Sequence, residues 1–224
     1  MNGILLIDKP IGWTSHDVVA KVRGLLKAQT GGKIKVGHTG TLDPVATGLL
    51  VLVVGSYTKQ AGEFSKLDKT YVAELTLGSV STTADSEGEI TPKSTSKPGE
   101  AETQTALDKF IGEIEQTPPK FSAIKVDGQR AYKLARAGKE VQMEPRQIKI
   151  YSIKNVKYDY PKLSFETEVS SGTYIRSLAQ DIGTELGTGA YLSALCRTKV
   201  GKLDIKNAQK IGELQSHLQV IDKL

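Results

Sequence analysis

The sequence predicts an α+β protein with a mixed, mostly antiparallel central sheet flanked by helices. Strand-patterned and helix-patterned stretches succeed one another without the strict alternation of a doubly wound parallel fold, and long polar excursions separate them. The segment "KTYVAELTLG" (69–78) sets Tyr71, Ala73, Leu75 and Leu77 against Val72, Glu74 and Thr76, the alternation of a half-buried strand. Neither G-x-G-x-x-G nor G-x-x-x-x-G-K-[ST] occurs, which removes the phosphate loops of the common parallel-sheet nucleotide binders. At 224 residues the chain is long enough to bury a substantial core, and it reads as a single domain over 1–224.

"GILLIDKP" (3–10) reads as a buried strand stopped by Pro10, and "IGWTS" as a turn in which Thr14 or Ser15 caps the next segment. Val18, Val19, Val22, Leu25 and Leu26 recur at helical spacing with Lys21, Arg23 and Lys27 outward, predicting a basic amphipathic helix. Residues 34–36 make a short edge segment, and "LLVLVV" (49–54) a fully buried strand. The polar, turn-rich stretch 81–104 reads as an exposed, mobile connector. Leu107, Phe110, Ile111 and Ile114 fall on one stripe and predict a helix ended by Pro118–Pro119. "KFSAIKV" reads as a strand, with a "DG" turn after it and then a short basic helix closed by Gly138. Segments 146–160 and 162–171 read as adjacent strands joined at Pro161. Ile175, Leu178, Ile182 and Leu186 predict a helix stopped by Gly187, then a strand "ALCRTKVGKLDI" and a last short helix carrying Ile211, Leu214 and Leu218.

The composition, 38% hydrophobic and 25% charged, is that of a folded soluble protein. No apolar run approaches the roughly 20 residues of a membrane span, and no secretory leader is visible. One cysteine, Cys196, allows neither an internal disulfide nor a thiolate cage, which points to a cytoplasmic protein. The three histidines are not in H-E-x-x-H spacing, so no metal site is expected. Net charge is +4 over 1–60, −6 over 61–119 and +5 over 120–150. Two basic segments flanking an acidic one fit a polyanion-facing side, although solvated helix faces produce the same pattern.

The stretch "GHTGTLDPVATGLL" (37–50) crowds glycines, threonines and His38 around one carboxylate. Asp43 precedes a proline, which biases it toward extended backbone, and the apolar strand behind it can hold the loop rigidly at a cleft. The residues alone favour the simpler reading, an Asp-Pro turn hydrogen-bonded to its own backbone. Tyr71 and His38 have packing explanations of the same kind, while Arg176, in the first turn of an apolar helix, is commonly carboxylate-paired there.

Taken together and in order, "GILLIDKPIGWTSHDVV", "KVGHTGTLDPVATGLLVL", "DKTYVAELTLG", "FSAIKVDGQRAYKLARAG" and "SGTYIRSLAQDIG" resemble the successive motifs of TruB-type tRNA pseudouridine synthases, over residues 3–215. The resemblance implies the pseudouridine synthase fold and isomerisation of uridine 55 in the T loop of tRNA, with no cofactor and no metal. It implies that Asp43 is the catalytic carboxylate, Arg176 its paired cation, and Tyr71 the ring that stacks on the flipped base and can receive the C5 proton. Tyr174 and Leu195 would line the base pocket, His38 would fill the place of the extruded nucleotide, and Lys9 and Pro10 would lie beside the site. Residues 120–150 would be a basic insertion closing over the RNA arm, with Lys125, Arg130, Lys133 and Arg136 on phosphates. The partner is the tRNA T arm, with no membrane and no protein partner required, and a monomer is expected.

Three departures qualify the match. Cys196 stands where an arginine is common, Gln180 where a charged residue is usual, and the chain ends at Leu224 without room for the family's C-terminal PUA domain. The alternatives are a non-catalytic RNA-binding or tRNA-folding module, an RNA-guided pseudouridine synthase subunit, and a uracil-releasing glycosidase. An intact Asp43, Tyr71 and Arg176 disfavours the first, and the chain's length the second.

Overall fold

The computed structural model describes residues 1–126, 128–214 and 220–221. In chain order the elements are β1 (Gly3–Lys9), α1 (Ser15–Thr30), β2 (Val36–His38), β3 (Ala46–Val54), α2 (Ala61–Ser65), β4 (Lys69–Leu77), β5 (Ser79–Ser81) and β6 (Ile90–Pro92). Next come α3 (Glu100–Asp108), β7 (Gly112–Gln116), β8 (Lys125–Val126), β9 (Gln129–Arg130), α4 (Ala131–Arg136), β10 (Arg146–Asp159), β11 (Lys162–Val169), α5 (Ile175–Glu185), β12 (Ala190–Val200), β13 (Leu203–Asp204) and β14 (Gln209–Lys210). The class is the expected one, mixed and mostly antiparallel sheet with helices. The chain divides into two compact units, one of 1–72 and 195–224, the other of 73–194.

In the first unit the strand order is β14-β1-β3-β12, with β2 on β3 and β13 on β12. β1 and β3 pair antiparallel from Gly3 opposite Val54 to Lys9 opposite Gly48. Both are apolar on both faces: Ile4, Leu5, Ile7, Leu49, Leu50, Leu52, Val53 and Val54 are fully buried. That is why the sequence shows a continuous apolar run here instead of an alternation. One face, Ile4, Leu6, Leu49, Val51 and Val53, packs with Phe64, Val200 and Leu203. α1 begins where predicted. Thr14 Oγ1 accepts from the Asp17 amide at 3.1 Å and the Asp17 carboxylate accepts from the Thr14 amide at 2.9 Å, a reciprocal capping box. Its buried stripe is Val18, Val19, Val22 and Leu26. β3 starts three residues earlier than the apolar run predicts, because Ala46, Thr47 and Gly48 pair in parallel with Leu195, Cys196 and Arg197 of β12. The edge segment is displaced likewise: Val36–His38, not 34–36, pairs with β3.

In the second unit the order is β4-β11-β10-β7, with a separate β5–β6 hairpin and a β8–β9 hairpin. Two expectations are corrected there. The helix predicted through Ile114 ends at Asp108. Gly112 takes φ +117°, which a helix cannot use, and Gly112–Gln116 instead pairs antiparallel with β10. The stripe that suggests a helix is split between two elements. The polar stretch 81–104 is not simply a connector: its first part folds into the β5–β6 hairpin around Asp85, which is 1% exposed. "KFSAIKV" contributes only the two-residue β8, and Asp127 of the "DG" turn lies outside the described residues. The final predicted helix is a single 3-10 turn at Ile211–Glu213, and Leu218 lies outside the described residues.

Candidate active site

The loop carrying Asp43 is fixed from three sides within the first unit. The Ser15 hydroxyl, at the first position of α1, accepts from the Leu42 amide at 2.8 Å and donates to the Leu42 carbonyl at 3.1 Å. One buried side chain thus satisfies both backbone groups of the residue before Asp43. On the other side the Gly12 amide donates to the Pro44 carbonyl at 2.8 Å, and the Ala46 amide closes the turn onto the Asp43 carbonyl at 3.0 Å. Arg197, 2% exposed, donates through Nε to the Leu49 carbonyl at 2.8 Å and through a terminal nitrogen to the Gly40 carbonyl at 3.0 Å. Each buried bond from a charged donor contributes about 1.5–3 kcal/mol. The Asp43 side chain itself stays half-buried. Its backbone is therefore anchored by groups other than its own carboxylate, which the simple Asp-Pro turn does not require.

Gly48 is the close-approach point behind the loop. It sits between Lys9 of β1 and Arg197 of β12, with φ +98°. A Cβ there would meet the Arg197 carbonyl oxygen at 2.4 Å and the Cys196 sulfur at 2.9 Å. Lys9 is fully buried, its ammonium donating to the Pro10 carbonyl at 3.0 Å and the Trp13 carbonyl at 2.6 Å, so it staples the turn before α1. Pro10 is exposed. His38 is half-buried, and its Nδ1 is buried without a hydrogen-bond partner among the described residues. Burial, then the Arg197 charge, hold its pKa below the ordinary histidine value, so the ring is neutral at pH 7. Tyr71 lies on the buried face of β4 and is 8% exposed; Leu195 on β12 is half-buried.

Arg176 and Tyr174 lie in the second unit. Arg176 is 8% exposed, and its guanidinium approaches the Asp85 carboxylate at 3.4 Å and donates to the carbonyls of Thr83 at 3.2 Å and Phe121 at 2.8 Å. Asp85 also accepts from Thr83 Oγ1 at 2.5 Å and from the Glu87 amide at 3.0 Å. The start of α5 is fastened by Gln116, whose side-chain amide donates to the Tyr174 carbonyl at 3.1 Å and accepts from the Tyr174 amide at 2.8 Å. Lys125, Arg130, Lys133 and Arg136 lie on the β8–β9 hairpin and α4, and all four are exposed. Arg136 also lies over the Tyr132 ring, 5.8 Å from its centre. A cavity of about 390 Å³ lies at the root of this insertion, between Thr117–Phe121, Val141, Met143 and the Ser177–Asp181 side of α5.

Comparison with known proteins decides what this arrangement belongs to. The profile described as "TruB family pseudouridylate synthase (N terminal domain)" matches residues 23–175, and that of the "tRNA pseudouridylate synthase B C-terminal domain" matches 176–223. The chain belongs to the TruB family. Similar TruB proteins include the tRNA pseudouridine synthase B of Syntrophotalea carbinolica, 44% identical over 93% of this chain and 67% of that protein. That of Leifsonia xyli is 45% identical over 96% of this chain and 72% of that protein. Among solved structures, a chain of an H/ACA ribonucleoprotein bound to a substrate RNA containing 2′-deoxyuridine superposes with a TM-score of 0.70 at 28% identity. A Cbf5–Nop10–Gar1 complex gives 0.71 at 28% identity. This chain spans only about half of each, 52% and 53%, while 95% of this chain is covered.

The sequence singles out Asp43 and conceals what holds its loop. In one dimension Ser15 is only a possible cap, Arg197 only a basic residue in the strand pattern "ALCRTKVGKLDI", and Asp85 part of a polar connector. The available signal for Asp85 is "TTADSEG", an acid leading into a turn, the pattern of a side chain that organises its own loop. Nothing in the linear pattern separates a Ser15 that caps a helix from one that grips residue 42.

Proposed function

We propose that this chain isomerises the uridine at position 55 in the T loop of tRNA to pseudouridine, with Asp43 as the essential carboxylate. The observation that carries this reading is the clamped loop: both residues beside Asp43 have their backbones held by α1 and the turn before it. A carboxylate so held is pre-positioned, which is worth rate because nothing must reorganise when charge develops. The family assignment supplies the chemistry for which such a group is needed.

In the reaction the N1–C1′ bond breaks, the uracil turns while held, C5 bonds to C1′, and the C5 proton leaves to a base. The product is an isomer of the substrate, so no electrons enter or leave. Asp43, as an ionised carboxylate, serves as nucleophile or as base and is regenerated. Arg176 is the catalytic cation, held in its own unit by Asp85 and two carbonyls. Tyr71 stacks on the ring and receives the C5 proton; Tyr174 and Leu195 line the base pocket, and Lys9 and Pro10 shape the turn beside it. The target must leave the stack of the T loop, costing a few kcal/mol that stacking and phosphate contacts offset. The neutral His38 ring takes the vacated place without bringing a charge among the bases. Lys125, Arg130, Lys133 and Arg136 contact the RNA backbone and position it without reading sequence. The enzyme acts as a cytoplasmic monomer on tRNA.

The purified chain alone, given a tRNA transcript tritiated at uridine C5, is expected to release tritium to water without free uracil. Asp43→Asn is expected to release none while binding RNA within about 3-fold of wild type. Release only when a guide RNA and further proteins are added would favour the RNA-guided reading, and liberated uracil the glycosidase.

A further inference from the structure

Helix α1 anchors the Asp43 loop through Ser15, but its basic side chains have no part in the chemistry above and are arranged in a way the reaction does not explain. Residues 15–36 hold Lys21, Arg23, Lys27, Lys33 and Lys35 against a single acid, Asp17. That acid is spent: its carboxylate accepts from the Thr14 amide at 2.9 Å and the Thr14 hydroxyl at 2.7 Å. All five cations are exposed. Among the described residues none of them has a carboxylate within ion-pair distance, whereas Lys109, Lys149, Lys162 and Lys199 each have one.

Helical spacing puts Arg23 and Lys27 on one flank of α1 and Lys21 on the other. The Arg23 flank turns toward β2, because its guanidinium donates to the Val36 carbonyl at 3.2 Å. Lys33 and Lys35 lie on the segment leading into that same strand. One continuous basic surface therefore runs along one side of α1 to the entrance of β2. It begins at Arg23, about 12 Å along α1 at 1.5 Å per residue from Ser15, which grips the residue before Asp43. Like charges held together without compensating acids raise the energy of the free protein, a cost that a polyanion removes on binding.

We propose that this α1 flank, with Lys33 and Lys35, is a second RNA-backbone surface, contacting phosphates of the substrate remote from the target uridine. It belongs to a different unit of the chain from the 120–150 insertion. The proposal rests on the tRNA reading and specifies how the protein holds the body of that RNA. Each phosphate neutralised releases counterions, so every contact steepens the fall of affinity with salt by about one unit of log–log slope.

The test is fluorescence anisotropy of a full-length tRNA transcript over a series of salt concentrations, with wild type and the Lys27→Gln/Lys33→Gln/Lys35→Gln variant. The variant is expected to bind about 10- to 100-fold more weakly at low salt, with a slope shallower by about two to three. Its tritium release at saturating RNA is expected to equal wild type, which reports the enzymatic reading separately from the surface. A Lys149→Gln/Lys162→Gln control, removing ion-paired lysines, is expected to leave the slope unchanged. An unchanged slope in the triple variant, or an equal fall in the control, overturns the proposal. So does wild-type binding to phosphatidylserine-containing vesicles that the triple variant loses while its RNA slope is unaltered.

Discussion

Ser15 donates and accepts at Leu42 with one hydroxyl, so its removal leaves both backbone groups of a buried residue without a partner. Ser15→Ala is expected to cost about 1–3 kcal/mol in urea unfolding. It is also expected to lower kcat about 10-fold or more with little change in RNA affinity, because the loop is displaced while the RNA contacts remain. An unaltered kcat would mean that Asp43 does not depend on this anchor. Arg176→Ala is expected to lower turnover by at least about 100-fold while changing tRNA affinity less than about 3-fold, measured by single-turnover tritium release and filter binding. Parallel losses in both would make it an RNA-contacting residue. Asp85→Asn removes the carboxylate 3.4 Å from the buried Arg176 guanidinium and is expected to lower both stability, by about 2–3 kcal/mol, and turnover.

Among the elements, β3 depends most sharply on one residue. Gly48 has φ +98° and backbone of β12 at contact, so Gly48→Ala is expected to destabilise by about 3 kcal/mol or more, read as a lowered denaturant midpoint. A change below about 1 kcal/mol would contradict the packing described. The elements also show what is legible in one dimension. β1, α1, β4, α4 and α5 are readable because each carries a single unbroken period or a chemical stop: Pro10, the Thr14 cap, Gly138, Gly187. Gly112–Gln116 is not, since a helix of nine residues with an alternating strand after it mimics one longer helical stripe. The β5–β6 hairpin is hidden for another reason. Its organising residue is a buried carboxylate satisfied by a guanidinium at position 176, a contact local composition does not encode.

On the scale of the whole molecule, the charge distribution read from the sequence survives as exposed basic surface on α1 and on the 120–150 insertion. Buried polar groups act instead as internal fasteners: Lys9, Arg197 and Gln116 each bind backbone carbonyls. Linear pattern does not distinguish Lys9, a fastener, from Lys27, a surface charge. Acid–base behaviour of the fold includes one counter-intuitive contribution. Burial raises the Asp181 pKa to about 6, above its unfolded value of about 3.9. Between these values the folded chain holds more protons than the unfolded one, so this residue makes stability fall as pH rises from about 4 to about 6. Above pH 6 the cost remains in full. Asp181→Asn is accordingly expected to raise the urea midpoint at pH 7 and leave it unchanged at pH 4. An equal shift at both values would assign the effect to packing.

Function through a carboxylate pre-positioned at residue 43 is tested most directly by nucleoside analysis of tRNA after incubation with the chain alone. Wild type is expected to yield pseudouridine at position 55 in RNA of unchanged mass, and Asp43→Asn to bind the same RNA and yield none. Pseudouridine formed equally by Asp43→Asn, or an abasic site in place of pseudouridine, would contradict it.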